Sequence, residues 1–321
     1  MRNHLWFILV VAGVTLVACG ARPIPLESPL SPLASPLSPL ASPTVSPLAQ
    51  PAGGKIAFHS LRGGGTFQVY VMESDGSTRL LTNLAGPNSE PAWSPDGSQV
   101  VFTSGKDDIN NFTLYVINVD GTEPRRILPA ERGDNWYADW SPRGDLVAFQ
   151  SNRDGNFEIY TVSVETGQVT RLTDNGTTDS MPAWSPDGNK IVFVSDQDGD
   201  GEIYCMNADG TERVRLTSSP GEDTQPAWSP DGKKILFVST RDGNGEIYVM
   251  NADGSGQTRL TFTDKNGEWT PRWAMHGARV LFSADYGGDW DIFMMDPDGS
   301  NVVRLTNTPG DDRHAAWLDL N

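Results

Sequence analysis

Along most of this chain, hydrophobic and polar positions alternate in short runs, without the three-to-four spacing of a helix. Lys190-Ile191-Val192-Phe193-Val194-Ser195 and Glu202-Ile203-Tyr204-Cys205-Met206 are typical: β-favouring residues bounded by Gly, Asp, Asn or Pro. The runs form groups, and the groups repeat. Trp93, Trp140, Trp184, Trp228, Trp273 and Trp317 follow one another at 47, 44, 44, 45 and 44 residues. Each period predicts four strands. The first carries the tryptophan and runs, as in Pro182-Ala183-Trp184-Ser185-Pro186-Asp187-Gly188, into a tight turn where proline presets φ and glycine takes a left-handed conformation. The second follows at once, and a Gly/Asp loop leads to the third. Turns at Asp75-Gly76, Asp120-Gly121, Asp209-Gly210, Asp253-Gly254 and Asp298-Gly299 lead to a fourth that closes on Arg-Leu-Thr, as in Arg171-Leu172-Thr173 and Arg215-Leu216-Thr217. Four strands per period is the pattern of a propeller blade.

The ends of the repeat region count the blades. It opens on a second strand, Lys55-Ile56-Ala57-Phe58, and closes on a first strand, Ala315-Ala316-Trp317-Leu318. The closing strand is therefore expected to complete the opening blade, which removes exposed sheet edges. The fold class expected for residues 54–321 is all-β: a six-bladed β-propeller with four antiparallel strands per blade.

The shared signature is Pro-x-Trp-Ser-Pro-Asp-Gly, then Ile-x-Phe-x-Ser, Glu-Ile-Tyr-x-Met-Asn-x-Asp-Gly and Arg-Leu-Thr. It resembles the repeats of TolB-type and related WD-repeat-like propellers over about residues 55–321. That resemblance implies the fold and an envelope protein or peptide as partner. Two departures stand out. TolB has an α/β domain before its propeller, where this chain has a Ser-Pro-Leu linker, and the last turn reads Ala274-Met275-His276-Gly277.

The first residues read as a leader. Met1-Arg2-Asn3-His4 is followed by an apolar run from Leu5 to Val17, too short to span a bilayer comfortably, and then by Leu16-Val17-Ala18-Cys19-Gly20. This resembles a bacterial lipobox. Residues 1–18 are expected to be a lipoprotein signal peptide and Cys19 the lipidated residue, leaving the protein exported and held to the membrane through that anchor alone. Residues 19–53 repeat Ser-Pro-Leu, a composition that forms an extended polyproline spacer and no core. With Cys19 acylated, only Cys205 remains, so no intramolecular disulfide is expected. The net charge of −17 excludes nucleic acid as a partner and attraction to anionic lipid. A monomer is expected.

Candidate chemistry gathers before each tryptophan. Five residues back stand Asn88, Asn135, Asp179, Asp223, Glu268 and Asp312. If these converge on the channel axis, Asp179, Asp223, Glu268 and Asp312 would repel one another or hold a cation, Ca²⁺ in view of their oxygen ligands. The competing reading makes them loop caps, blade by blade. With Asn88 and Asn135, the neighbours Trp136, Tyr137, Trp269 and His314 would line a mouth for a peptide or glycan, or else pack within the loops. A second calcium candidate is Asp196, Asp198 and Asp200, spaced as in a calcium loop; its twelfth position is Asn207 rather than Glu, and sister blades make a plain hairpin there. The repeated Trp, Phe and Tyr residues are expected in the core, with Cys205 a buried thiol. No Gly-x-Ser-x-Gly is present, and no pair of carboxylates stands out as acid and base. The chain reads as a non-enzymatic envelope binding scaffold without a cofactor, the alternatives being a metal-dependent lactonase, a glycosidase or a glycan-binding module.

Overall fold

The computed structural model describes residues 53–320, apart from 131–132, 264–266 and 287. The expected leader, the Cys19 anchor and nearly all of the Ser-Pro-Leu segment lie outside the described residues. The rest forms six four-stranded antiparallel sheets, with a single 3-10 turn at Met275–Gly277 as the only helical element among the described residues. Blade 1 comprises β1 (Gly54–Ser60), β2 (Gln68–Met72) and β3 (Thr78–Leu80), completed on its inner side by the C-terminal β24 (Asp312–Asp319), in the order β24-β1-β2-β3. Blades 2 to 6 follow in chain order. Their inner strands are β4 (Asn88–Trp93), β8 (Asn135–Trp140), β12 (Asp179–Trp184), β16 (Asp223–Trp228) and β20 (Glu268–Ala274). The six blades and the closure expected from the repeat are both present.

Local sequence explains the turns. In Ser185-Pro186-Asp187-Gly188 the serine hydroxyl donates to Asp187 Oδ1 at 2.6 Å and accepts the Lys190 amide at 2.9 Å. Gly188 sits at φ +71°, a conformation that costs a side-chain-bearing residue about 1–2 kcal/mol. Where the signature fails, at Ala274-Met275-His276-Gly277, Met275 and His276 themselves take positive φ.

The core lies between blades. Phe58, Phe102, Phe149, Phe193, Phe237 and Phe282 are fully or almost fully buried, each beside an aromatic ring of the third strand, such as Tyr115 at 6.0 Å from Phe102. Closure is cemented from both sides of blade 1. Ile56, Phe58 and Met72 pack with Leu281, Ile292 and Met294 of blade 6, while Trp93 of blade 2 donates its indole N–H to Ala316 O at 3.1 Å. Cys205 is buried, and burial pushes its thiol pKa up, which leaves it unreactive.

The Arg-Leu-Thr signature has a structural reason. Thr217 Oγ1 accepts the Ile203 amide at 2.9 Å and donates to the buried Glu202 at 2.6 Å, while Arg215 pairs with the same carboxylate at 2.6 Å. Blade 5 repeats the arrangement with Thr261, Glu246 and Arg259. The fourth strand is thereby stitched to the third.

Candidate functional site: the central channel

Every inner strand carries a β-bulge at the same place. Pairing with the second strand jumps from Ser180↔Val194 to Ala183↔Val192, so Met181 and Pro182 together face Phe193. The same shift puts Glu90 opposite Phe102, Tyr137 opposite Phe149, Gln225 opposite Phe237, Thr270 opposite Phe282 and His314 opposite Phe58. All six bulge residues are left-handed, with φ between 52° and 56°. None is glycine, although glycine would relieve about 1–2 kcal/mol at each. The bulge turns these residues onto a cavity of about 190 Å³ on the channel axis, which Asp139 and Arg272 also line.

Bulging frees an inner-strand amide, and a neighbouring side chain takes it up. Glu90 N donates to His59 Nδ1 at 3.1 Å, Tyr137 N to Glu90 Oε2 at 2.9 Å, Met181 N to Gln150 Oε1 at 2.9 Å and Thr270 N to Gln225 Oε1 at 2.6 Å. The channel wall is thus laced from blade to blade. Burial dominates its electrostatics. It pushes Glu90 up to about 7 against the opposing Tyr137 amide, Thr103 hydroxyl and Arg272 charge, and Asp139 up to about 6 against the Trp184 amide and Arg272. His314, buried and beside Arg272 and Arg313, drops to about 3, and both of its ring nitrogens lack a hydrogen-bond partner. It stays neutral, with its ring 4.8 Å from His59 and 5.8 Å from Tyr137.

The residues five back from the tryptophans do not meet on the axis. They sit two strand positions before the bulge residue, buried within the sheets. Asp312 pairs with Arg62 at 2.6 Å, Asp223 with Arg241 at 2.8 Å, and Asp179 accepts from Asn175 at 2.7 Å. Asn88 accepts from Ser104 at 2.6 Å and Asn135 from Arg153 at 2.8 Å. Glu268 accepts from the Tyr286 hydroxyl at 2.6 Å. An arginine, hydroxyl or amide engages each of the four carboxylates, and Asp179, Asp223 and Asp312 each keep one buried oxygen without a hydrogen-bond partner.

At the second calcium candidate, two of the three carboxylates are engaged by groups of the protein. Asp196 caps the Thr178 amide at 2.6 Å, and Asp198 accepts from Tyr204 and, at 2.9 Å, from Arg215, so the cation at this hairpin is an arginine. Among the described residues, no three His, Cys, Asp or Glu side chains group as a metal centre requires. Of the four aromatic and imidazole residues expected at the mouth, Tyr137 and His314 line the channel cavity. Trp136 instead packs tilted against Phe112, with ring centroids 4.2 Å apart, and Trp269 lies over Gly245 and Gly267.

Counting five back missed Glu90, Asp139, Met181, Gln225, Thr270 and Arg272. A signal was present. Three residues before the tryptophan the six blades read Glu, Tyr, Met, Gln, Thr and His, six different residues inside an otherwise regular repeat.

Comparison with known proteins agrees with this architecture. Residues 34–182 and 174–316 match the family described as TolB beta propeller domain. A stretch of 88 residues is 31% identical to the Tol-Pal system protein TolB of Francisella tularensis subsp. mediasiatica, spanning 26% of this chain and only 20% of that relative. Among solved structures, TolB from Acinetobacter baumannii superposes with a TM-score of 0.74 at 24% identity, over 84% of this chain and 68% of that one. A putative TolB from Agrobacterium tumefaciens superposes with a TM-score of 0.65, also at 24% identity, over 83% of this chain and 99% of that one. With the signature, the six closed blades and the family match in agreement, this chain belongs to the TolB β-propeller domain family.

Proposed function

We infer that this chain is an exported, lipid-anchored propeller that captures an envelope protein or peptide at its central channel. One observation carries the reading. Six different side chains stand at the one inner-strand position where the backbone favours glycine, facing a cavity, while the framework around them repeats. Left-handed strain held at a ring of dissimilar side chains is what a recognition surface requires and packing does not. The relatives named as Tol-Pal system proteins supply the class of partner, and the segment at Cys19 supplies the anchor. Glu90 and Asp139, two channel carboxyls raised towards neutrality, keep a hydrolytic enzyme as the second reading.

Both parts can be tested together. In intact cells, a photo-crosslinking residue in place of Met181 should capture a defined envelope protein, and the same residue in place of Val214, exposed on an outer strand, should not. Glu90→Gln should weaken the capture. Cys19→Ala should release the protein from the membrane fraction. Equal capture at both positions would refute the channel, and turnover of a lactone or glycoside that Glu90→Gln abolishes would replace the binder with the enzyme.

A further inference from the structure

One layer of the channel departs from the repeat. The residue before each tryptophan is alanine in four blades (Ala92, Ala183, Ala227 and Ala316), whereas blade 3 carries Asp139 and blade 6 carries Arg272. Inner strands contact one another in ring order, which places blades 3 and 6 diametrically opposite. A carboxyl and a guanidinium therefore approach the axis from opposing walls, and methyl groups keep the rest of the layer open. Both line the cavity of about 190 Å³.

The two charges act on each other across the cavity, but among the described residues no ion pair joins them. Among the described residues Arg272 makes no ion pair; its guanidinium donates to the carbonyl of its neighbour Pro271 at 3.0 Å. One oxygen of Asp139 accepts the Trp184 amide at 2.7 Å. A guanidinium removed from bulk water without a carboxylate in its fork loses solvation and gains no partner in return. His314 adds an imidazole on the same cavity, with both nitrogens buried and unpartnered.

Coulomb's law selects the ligand class. A simple anion drawn to Arg272 meets Asp139 as a like charge, and a simple cation drawn to Asp139 meets Arg272. Each would lose to one wall much of what it gained from the other. A small molecule bearing both charges a few ångströms apart gains at both. The geometry points to a zwitterion site in the channel: a free α-amino acid held with its carboxylate in the Arg272 fork and its ammonium on Asp139. Arg272 offers the planar pair of donors that matches a carboxylate, and the ring of Tyr137, Met181 and His314 would face the amino-acid side chain. The assignment stands apart from partner capture, since the purified protein should bind without any other component.

Calorimetric titration of the purified full-length protein with each of the twenty α-amino acids tests it. Saturable binding of one or a few is expected. The N-acetyl derivative and the methyl ester of the tightest binder should each bind at least about tenfold more weakly, since each loses one charged contact. Arg272→Gln and Asp139→Asn should weaken binding to the same degree. Should Arg272→Gln misfold, Arg272→Lys keeps the charge without the fork and should still bind more weakly than the parent. Three results would overturn the assignment: no heat with any amino acid at millimolar concentration, equal binding of the acetylated or esterified ligand, or variants that melt lower while binding unchanged. The last would make Asp139 and Arg272 a pair that only braces the ring.

Discussion

Single residues explain why the repeat keeps the letters it does. The threonine of Arg-Leu-Thr is retained because its hydroxyl both accepts a third-strand amide and donates to a buried carboxylate. In blade 4 these contacts are Ile203 N to Thr217 at 2.9 Å and Thr217 to Glu202 at 2.6 Å. Thr217→Val preserves the shape and strips both contacts. It should cost about 1–3 kcal/mol, the penalty of an unsatisfied buried group, read as a lower urea midpoint with an unchanged slope. A variant as stable as the parent would mean that water replaces the hydroxyl. The bulge residues obey a different logic. Their backbone angle disfavours any side chain, so what stands there reflects what the channel must present.

At the scale of elements, the inner strand does two jobs. Its first residue and its tryptophan pack the blade, and the bulge between them faces the axis. The C-terminal β24 does this for blade 1 and closes the ring. It brings Asp312 to Arg62 at 2.6 Å and Ala316 O to the Trp93 indole at 3.1 Å, and it covers the edge of β1. Deleting residues 312–321 would expose that edge and the apolar faces on either side of it. The truncated chain should lose its cooperative thermal transition or run as aggregates on gel filtration. A truncated protein that melted like the intact one would contradict closure by this strand.

At the scale of the whole molecule, buried carboxyls set the response to pH. Glu268 is pushed up to about 8 from its ordinary 4.5, chiefly by burial, with the Tyr286 hydroxyl opposing and Glu246 adding to the rise. Between those values the folded chain holds a proton that the unfolded chain has released. Stability therefore falls as pH rises through this window, by about 1.4 kcal/mol per unit for a group so shifted. Asp291, raised to about 6, acts in the same direction, and the neutral His59 and His314 act oppositely below their ordinary 6.5. Glu268→Gln mimics the protonated side chain. It should melt with the parent near pH 5 and several degrees above it at pH 8. Parallel melting curves at both pH values would show that Glu268 is already ionised in the fold.

Local pattern and spacing were enough for the blade. Strand alternation, Ser-Pro-Asp-Gly and Asp-Gly turns and a tryptophan every 44 or so residues report the short-range preferences of the backbone, and matched chain ends imply the closure. The channel was not legible in the same way. Which residue of the inner strand faces the axis depends on a bulge that no proline or glycine marks, since Glu90, Tyr137 and Met181 are ordinary strand letters in an unusual conformation. Two positions in register separate Asp179, sealed inside its blade, from Met181, open to the cavity. That difference arises only when the six sheets pack around one axis and freed amides such as those of Glu90, Tyr137, Met181 and Thr270 find acceptors on the neighbouring blade.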